Sequence, residues 1–469
     1  MLMRQRVASI AGVVGLALAI APVATAQDVV LDFNQALLDA IADTSTPPPA
    51  ATRAMAIVHV AVHDAVVGID RRHEAFLVET NPPLASMEAA AAQAAFETLV
   101  ALFPSREVEF RAVLDAALAA VPAGPARDAG ITHGSAVAAA VLADRATDGF
   151  DATSPYAPSA IPGRWRPTPP DLTPPLLPQW ASLRPFAMTS PDQFRPVPPL
   201  DITTPEYARS LAEVQEIGRV DSTTRTADQT EIAIIWEGGA GTVTPPGHWN
   251  AIGRTIAEQE GNGLIENARL LGRLNVTLAD AAICSWECKY GTDYWRPVTA
   301  IREADTDGNP LTVQDPSWLP LLPTPPFPTY TSGHSTFSGS GSTAIARFFG
   351  RDDFSFTFEA EGLSRDFTSL SEAADEAGIS RIYGGIHYDF DNFEGLSSGR
   401  ALANYIADGF FAERCRADLD GDGALTLFDA LAFQNAYETG TAAADFTSDG
   451  ELTVADYLRF VDELTAGCP

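Results

Sequence analysis

The stretch between residues 289 and 391 concentrates side chains that can bind a tetrahedral oxyanion and move protons on it. The single lysine of the chain lies here, and two arginines, two histidines, a serine and a flexible glycine accompany it in three short motifs. The set comprises Lys289, Arg296, Ser332, Gly333, His334, Arg381 and His387. Guanidinium forks match the oxygens of phosphate-like anions, and imidazoles act as acids and bases. These residue types predict an anion site with acid–base chemistry.

The local sequence indicates how two of these motifs are presented. Ser332 follows a proline-rich loop and opens a predicted helix, so the first amides of that helix lie at its positive end. Asp391 lies four residues after His387, and on a helical turn its carboxylate accepts from one imidazole nitrogen. The other nitrogen of His387 is then a nucleophile or an axial ligand, and His334 is left as the acid–base catalyst.

Other polar residues are secondary candidates. Asp228 or Glu237 could orient Arg296 or His334 from the layer of residues around the site. His59 and His63 are four residues apart on a predicted helix, but the sequence offers no obvious third ligand. We therefore expect both histidines to be core residues and not metal ligands. The run 305–309 is acidic and glycine-containing, and we predict a turn there.

Helical periodicity dominates the chain and predicts an all-α bundle. The predicted helices are 53–68, 87–103, 107–121, 126–148, 206–219, 226–236, 248–259, 262–290, 335–349, 363–377 and 393–412. Two proline-rich segments, 153–200 and 310–328, interrupt them. The first is too aromatic to be a free linker, so we expect an ordered loop that wraps the helices or edges a pocket. The second leads into Ser332.

The composition excludes several classes of partner. The net charge is −31 at pH 7, with 61 acidic and 30 basic side chains, which argues against nucleic acid and against an anionic membrane surface. No segment after the N-terminus is apolar enough to span a bilayer. An anion site in such an acidic molecule must be built from a local concentration of cations.

Residues 1–26 have the features of a secretory signal. Two arginines precede an apolar stretch that is too short for a spanning helix, and the stretch ends in the small-residue run 24–26. We expect the mature catalytic domain to begin near Gln27 and to run to residue 413. The protein is then secreted, periplasmic or located at the cell surface.

The four cysteines form two pairs in the sequence. Cys415 and Cys468 bracket the C-terminal segment, and a disulfide could close it in an oxidising compartment. Cys284 and Cys288 are four residues apart on a predicted helix, a spacing too wide for a relaxed disulfide. We expect these two to be small buried residues, with a bridge as the alternative.

Residues 414–469 form a predicted second domain with two calcium-binding loops. Each loop places oxygen donors at alternate positions, a glycine at its turn and an acid at its end, as the Ca²⁺ shell requires. The donors are Asp418, Asp420, Asp422, the Ala424 carbonyl and Asp429 in the first loop, and Asp445, Thr447, Asp449, the Glu451 carbonyl and Asp456 in the second. One helix follows each loop, and the closing acid is Asp. These features resemble the dockerin-like module, which implies a protein partner.

The three motifs together resemble the type-2 phosphatidic acid phosphatase and vanadium haloperoxidase superfamily. They are Lys-x6-Arg-Pro, Ser-Gly-His and Ser-Arg-x5-His-x3-Asp, in this order over residues 289–391. The wider sequence, from 163–165 through 248–250, is similar to secreted bacterial vanadium-dependent haloperoxidases. Thr331 departs from the pattern, because many members carry proline there. The resemblance implies a helical-bundle fold with a vanadate cofactor.

The resemblance also implies roles for individual residues. The groups that would hold the equatorial oxygens are Lys289, Arg296, Arg381, Ser332 and Gly333. His387, supported by Asp391, would bind vanadium axially, and His334 would transfer protons. Trp286 and Phe327 stand where chloroperoxidases carry halide-pocket aromatics, although ordinary packing is the alternative. Hydrogen peroxide would oxidise halide to a hypohalous species that reacts with a small organic substrate.

Two further functions remain open at this point. A secreted phosphatase could use the same pocket, with His387 as nucleophile and a phosphohistidine intermediate. An extracellular assembly component could instead dock partners through the calcium module, with an inactive large domain. Family members often form homodimers, so a homodimer is possible here.

Overall fold

The computed structural model describes residues 28–82, 84–421, 423–447 and 450–467, and these residues are mostly helical. The α-helices are α1 Val29–Asp43, α2 Pro48–Asp70, α3 Met87–Leu102, α4 Glu107–Ala120, α5 Pro125–Arg145, α6 Pro205–Ile217, α7 Ala227–Ile235, α8 Thr244–Glu260, α9 Leu264–Thr292, α10 Pro297–Arg302, α11 Gly333–Phe349, α12 Leu370–Tyr383, α13 Asp389–Gly409, α14 Leu427–Thr439 and α15 Val454–Ala466. The predicted helical-bundle fold is confirmed.

Two helix groups form the core of the large domain. Helices α2, α3 and α5 pack together, α9, α11 and α13 pack together, and α2 lies against α9. Glycines let α11 and α13 approach closely, since a Cβ added to Gly339 would lie 2.4 Å from the Leu396 carbonyl oxygen. A side chain at this crossing would force the two helices apart.

Helix α2 is the one described helix with the length and hydropathy of a membrane span, and its apolar window is wholly buried in the protein. Its two histidines are core residues, as predicted. His59 Nε2 lies 3.0 Å from Asn34 Oδ1, and His63 Nδ1 lies 2.9 Å from Asp64 Oδ1. Burial lowers the pKa of His59 to about 3, which keeps its ring neutral.

The first proline-rich segment is ordered, as predicted. Trp165 and Trp180 are buried, and the segment is held on α9 by the buried carboxylate of Asp280. That carboxylate accepts the backbone N–H groups of Phe186 and Met188 at 2.7 Å each, and that of the residue between them at 2.8 Å. Three such bonds compensate for burying the charge.

The predicted helix 363–377 is wrong at its start. Residues Phe356–Ala360 (β1) and Leu363–Phe367 (β2) form an antiparallel hairpin, and α12 begins only at Leu370. The two turn residues, Glu361 and Gly362, have φ of 53° and 74°, the backbone of a two-residue hairpin turn. Burial alternates along β2, and this is the period-two pattern that the helical prediction overlooked.

The C-terminal segment has its own small core beneath α14 and α15. Phe433 stacks on Phe460 with ring centroids 4.4 Å apart, and both are buried. Arg414 joins this segment to the large domain through an ion pair with Glu79 at 2.7 Å. Cys415 is disulfide-bonded, whereas its predicted partner, Cys468, lies outside the described residues, as does the predicted signal segment 1–26.

The calcium loops are described in part. Asp422 and Asp449 lie outside the described residues, and the remaining predicted donors belong to the two loops before α14 and α15. Cys284 and Cys288 are free buried thiols, as predicted. The run 305–309 forms a turn around a short 3₁₀ helix, in agreement with the sequence.

A buried cationic pocket as candidate active site

The structure brings the three sequence motifs together at one end of the second helix group. Lys289 lies in the last turn of α9, and Arg296 caps α10. Ser332 caps α11, while Arg381 lies in the last turn of α12 and His387 just before α13. These five side chains are almost completely buried. The ends of five different helices therefore supply one shared pocket.

Arg296 is fixed by main-chain acceptors on two loops. Its Nε donates to the Phe327 carbonyl at 2.8 Å, and its Nη1 donates to the Ile386 carbonyl at 2.9 Å. Nη1 also lies 3.1 Å from His387 Nε2. Among the described residues, Arg296 Nη2 has no hydrogen-bond partner although it is buried. This guanidinium therefore keeps a donor for a ligand beside His387.

Lys289 holds the loop that leads to α11. Its Nζ donates to the carbonyl oxygens of Thr329 at 2.9 Å and Pro328 at 3.3 Å, and also to that of Thr331. Burial lowers the pKa of this amine well below its ordinary value, and the neighbouring Arg296 lowers it further. The ammonium thus sets the position of the loop as well as adding charge to the pocket.

His387 pairs with Asp391, as the sequence predicted. Its Nδ1 lies 2.8 Å from Asp391 Oδ2 and 3.0 Å from Thr329 Oγ1, and Thr329 also donates to the same carboxylate oxygen. The Nε2 atom therefore faces Arg296 and the pocket. Thr329 is a site residue that sequence reasoning missed, because a lone threonine in a proline-rich loop carries no distinctive signal.

His334 is oriented by a main-chain carbonyl. Its Nε2 lies 2.9 Å from the Trp236 carbonyl oxygen and 3.1 Å from that of Glu237. Arg381 Nη1 donates to the same Trp236 oxygen at 3.1 Å. Because both carbonyls can only accept, Nε2 carries the proton and Nδ1 is the basic nitrogen of the neutral ring.

Trp236 is in turn held by the β-hairpin. Its ring stacks on Phe358 of β1 at a centroid distance of 4.3 Å, and its Nε1 donates to Glu376 Oε1 at 3.0 Å. The hairpin thereby positions the oxygen shared by His334 and Arg381. Sequence reasoning missed Trp236, since its contribution to the site comes from the backbone and leaves no trace in residue type.

Of the two acidic residues that the sequence proposed as orienting groups, only Glu237 lies at the site. Asp228 pairs with Arg365 at 2.8 Å on the surface, so the prediction that it orients a site residue is wrong. Glu237 contacts His334 through its carbonyl, and its carboxylate raises the pKa of Arg381 in opposition to burial. The sequence placed Glu237 at the site but could not foresee a main-chain contact.

Ser332 and Gly333 form the start of α11. Ser332 Oγ accepts the Ser335 N–H at 3.2 Å, which caps the helix and directs the first amides at the pocket. Trp286 and Phe327 lie next to each other with ring centroids 4.9 Å apart, and the Trp286 ring would lie 3.8 Å from a Cβ added to Gly333. Lys289 Nζ is 5.0 Å from the Phe327 ring centroid, so the aromatic pair flanks the charged groups.

Charge in the pocket is unbalanced. Burial lowers the pKa of Arg296 to about 9 and that of Arg381 to about 10, and burial raises the pKa of Asp391 to about 7. Among the described residues, Asp391 is the only fully buried carboxylate within this group. Buried cations are costly unless an opposite charge lies beside them. The donor set and the unpartnered Arg296 Nη2 fit a bound oxyanion such as vanadate.

The fold that presents this pocket is similar to that of vanadium haloperoxidases. Residues 269–413 match the family described as the VCPO second helical-bundle domain. The crystal structure of the first bacterial vanadium-dependent iodoperoxidase superposes with a TM-score of 0.72 and 28% identity, covering 82% of this chain and 97% of that chain. A holo-type bacterial vanadium-dependent chloroperoxidase shares the fold, with a TM-score of 0.64, 18% identity and coverage of 78% and 92%.

A curated relative extends the comparison. The vanadium chloroperoxidase of Curvularia inaequalis is 31% identical over 232 residues, and the match spans 37% of this chain and 37% of the relative. The chain is thus similar to proteins described as vanadium haloperoxidases, and it spans little more than a third of the length of this curated relative. The family match over residues 269–413 contains all three motifs.

The stacking of Phe358 on Trp236 leads to a testable prediction. Phe358→Leu should weaken orthovanadate binding by about tenfold, since the support of a ligand-orienting group is typically worth that much. Phe356→Leu is the matched control, because Phe356 is equally buried on the same face of β1 but packs on Phe367 instead. Vanadate affinity is measured by isothermal titration calorimetry. Equal losses of vanadate affinity in the two variants would show that the contact of Phe358 with Trp236 does not support the site.

Proposed function

We propose that this protein is a vanadate-dependent haloperoxidase that oxidises halide with hydrogen peroxide. One observation carries the proposal. In a buried pocket, Arg296 directs an unpartnered nitrogen beside the Nε2 of His387, which lies 3.1 Å from Arg296 Nη1. The relatives named above are haloperoxidases of this kind, which supports the assignment. Vanadate, when bound, supplies a Lewis-acidic vanadium(V) centre for peroxide activation.

Each residue of the pocket then has a defined task. Arg296 and Arg381 donate to the oxyanion, and the amides at the start of α11 add neutral donors. Asp391 holds the proton of His387 on Nδ1, so the lone pair of Nε2 would be available to hold the vanadate. His334 has its free Nδ1 available to take a proton from peroxide. Trp286 and Phe327 form the apolar side of the pocket, where we place the halide.

The neutral state of His387 supports this arrangement. Burial lowers the pKa of its ring well below the ordinary value, and the positive charge of Arg296 lowers it further. A neutral imidazole has a lone pair to offer at Nε2, whereas a protonated one does not. The surrounding cations therefore prepare the histidine as a ligand or nucleophile at neutral pH.

Halogenation of a dione reporter tests the proposal directly. Purified protein is supplied with orthovanadate, peroxide and iodide, bromide or chloride in turn. His387→Ala should lower turnover by about 100-fold or more, since it removes a preorganised group in contact with the anion. Asp389→Asn, an exposed change two residues away, should leave turnover intact. Wild-type-like turnover in His387→Ala would refute the axial assignment.

A phosphatase is the second candidate, and the same atoms support it. His387 Nε2 could attack phosphorus in a phosphate held by the two arginines, with Asp391 orienting the ring. Hydrolysis of an aryl phosphate without vanadate measures this activity. Fast phosphate release together with absent halogenation would establish the phosphatase in place of the peroxidase.

We also propose that the C-terminal loops bind calcium and that the protein is exported. In the first loop, oxygen atoms of Asp418, Asp420 and Asp429 all lie within 4.8 Å of one another. Carboxylate oxygens at this separation suit Ca²⁺. A calcium-loaded module of this type is suited to docking a protein partner outside the cell. Export rests on the composition of residues 1–26.

Calcium binding should protect the module from local unfolding. Hydrogen–deuterium exchange of α14 in the intact protein should slow when calcium is added. At a calcium concentration 100 times the dissociation constant, the free energy of local opening should rise by about 2.7 kcal/mol. Asp418→Asn should abolish the effect, and Asp462→Asn, exposed on α15, should preserve it. Identical exchange with calcium and with a chelator would exclude a calcium site.

A further inference from the structure

Thr329 lies between the buried lysine of α9 and the pair formed by His387 and Asp391. It belongs to the loop that precedes α11 and is completely buried. None of the three sequence motifs includes it. Its backbone contacts one part of the pocket and its hydroxyl contacts another, so this residue connects the lysine to the histidine.

The backbone of Thr329 is held on both sides. Its N–H donates to the Tyr294 carbonyl at 3.0 Å, and its carbonyl accepts from Lys289 Nζ at 2.9 Å. The same ammonium donates to the carbonyls of Pro328 and Thr331. All three N–H groups of Lys289 are therefore occupied by carbonyls of this loop. The lysine thus fixes the position from which the Thr329 side chain reaches the histidine.

The hydroxyl of Thr329 determines which nitrogen of His387 is protonated. A hydroxyl has one proton, and that of Thr329 is donated to Asp391 Oδ2. Thr329 Oγ1 also lies 3.0 Å from His387 Nδ1, to which it presents a lone pair. Because two lone pairs would repel each other at this distance, Nδ1 must carry the proton of the neutral ring.

Thr329 also orients the carboxylate of Asp391, which supports His387. Three donors converge on its Oδ2 atom: the Thr329 hydroxyl, His387 Nδ1 at 2.8 Å and the Tyr388 N–H at 3.3 Å. Its Oδ1 atom is buried and has no hydrogen-bond partner among the described residues. Without the hydroxyl, this carboxylate would keep one long bond and the bond to the ring that it has to orient.

We infer that Thr329 is a positioning residue, which keeps the proton of His387 on Nδ1 and leaves the Nε2 lone pair facing the oxyanion site. The other side of the ring agrees with this tautomer, since Arg296 Nη1 can only donate and lies 3.1 Å from Nε2. Thr329 acts through His387 and Asp391, because its own polar atoms are all bonded to protein groups. The inference rests on the proposed function for the identity of the oxyanion as vanadate.

Binding of orthovanadate to the vanadate-free protein tests this role. Thr329→Val removes the hydroxyl and keeps a similar shape, and it should weaken binding by about tenfold, the usual loss when a group that orients a ligand is removed. Thr329→Ser keeps a hydroxyl and should restore most of the affinity. The matched control is Thr277→Val, because Thr277 is equally buried on α9 and donates to the Arg273 carbonyl outside the pocket. Affinity is measured by isothermal titration calorimetry, and circular dichroism checks that each variant is folded.

The tautomer can be observed without any cofactor. Nitrogen-15 NMR of the histidine-labelled protein distinguishes protonated from unprotonated ring nitrogens, and His387→Gln identifies the signals of His387. The wild type should show a protonated Nδ1 and an unprotonated Nε2 at neutral pH. In Thr329→Val the ratio of the two tautomers should shift by about fivefold towards the form protonated on Nε2, as loss of one hydrogen bond requires. Thr277→Val should keep the wild-type pattern.

The outcomes separate this inference from the proposed function. A wild-type His387 protonated on Nε2, or a Thr329→Val variant with unchanged vanadate affinity or an unchanged tautomer ratio, would overturn the role of Thr329. So would an equal loss of affinity in Thr277→Val. Absence of vanadate binding or of halogenation in the wild type would instead refute the proposed function, and the NMR measurement would still decide the role of Thr329.

Discussion

The burial of three cations among helix ends is the constraint on which the rest of the active-site region depends. Lys289 donates to three carbonyls of the loop 327–331, and Arg296 donates to one carbonyl of this loop and to that of Ile386. These bonds tie the loop to α9 and α10, and α10 to the segment before α13. Because an unpartnered buried charge is far more costly than a paired one, the loops cannot move away without exposing or stranding a cation. The cations therefore organise the pocket as well as charging it.

The side chains that carry charge could be predicted from the sequence, whereas the main-chain groups that orient them could not. Residue type and spacing identified the pairing of His387 with Asp391 and the cap at Ser332, since both are local along a helix. The Trp236 carbonyl joins the site across more than ninety residues, and every residue has a carbonyl. The hairpin that supports Trp236 was missed because a five-residue strand shows too few alternations of buried and exposed residues to outweigh a helical pattern.

The two helix groups share the same packing contacts, although the side chains at their helix ends differ. Close glycine contacts and serine caps recur in both groups, because they are demanded by the helix crossing itself. The side chains at the helix ends follow no such demand. Buried Arg381 and His387 lie at helix ends of the second group, whereas Met87 and Glu88 follow the capping serine of α3 in the first. Function here follows from the residues placed on the scaffold, and the fold alone does not dictate it.

Anion binding and protonation are linked in such a pocket. Burial lowers the pKa values of Lys289 and Arg296, while it raises that of Asp391. A negatively charged ligand raises the pKa values of Lys289 and Arg296 again, because it favours the charged form of each side chain. It also favours the protonated form of Asp391, since two negative charges repel in a buried space. Both responses take up protons on binding, so the pocket holds its anion more tightly as the pH falls, until protonation of His387 withdraws the Nε2 lone pair.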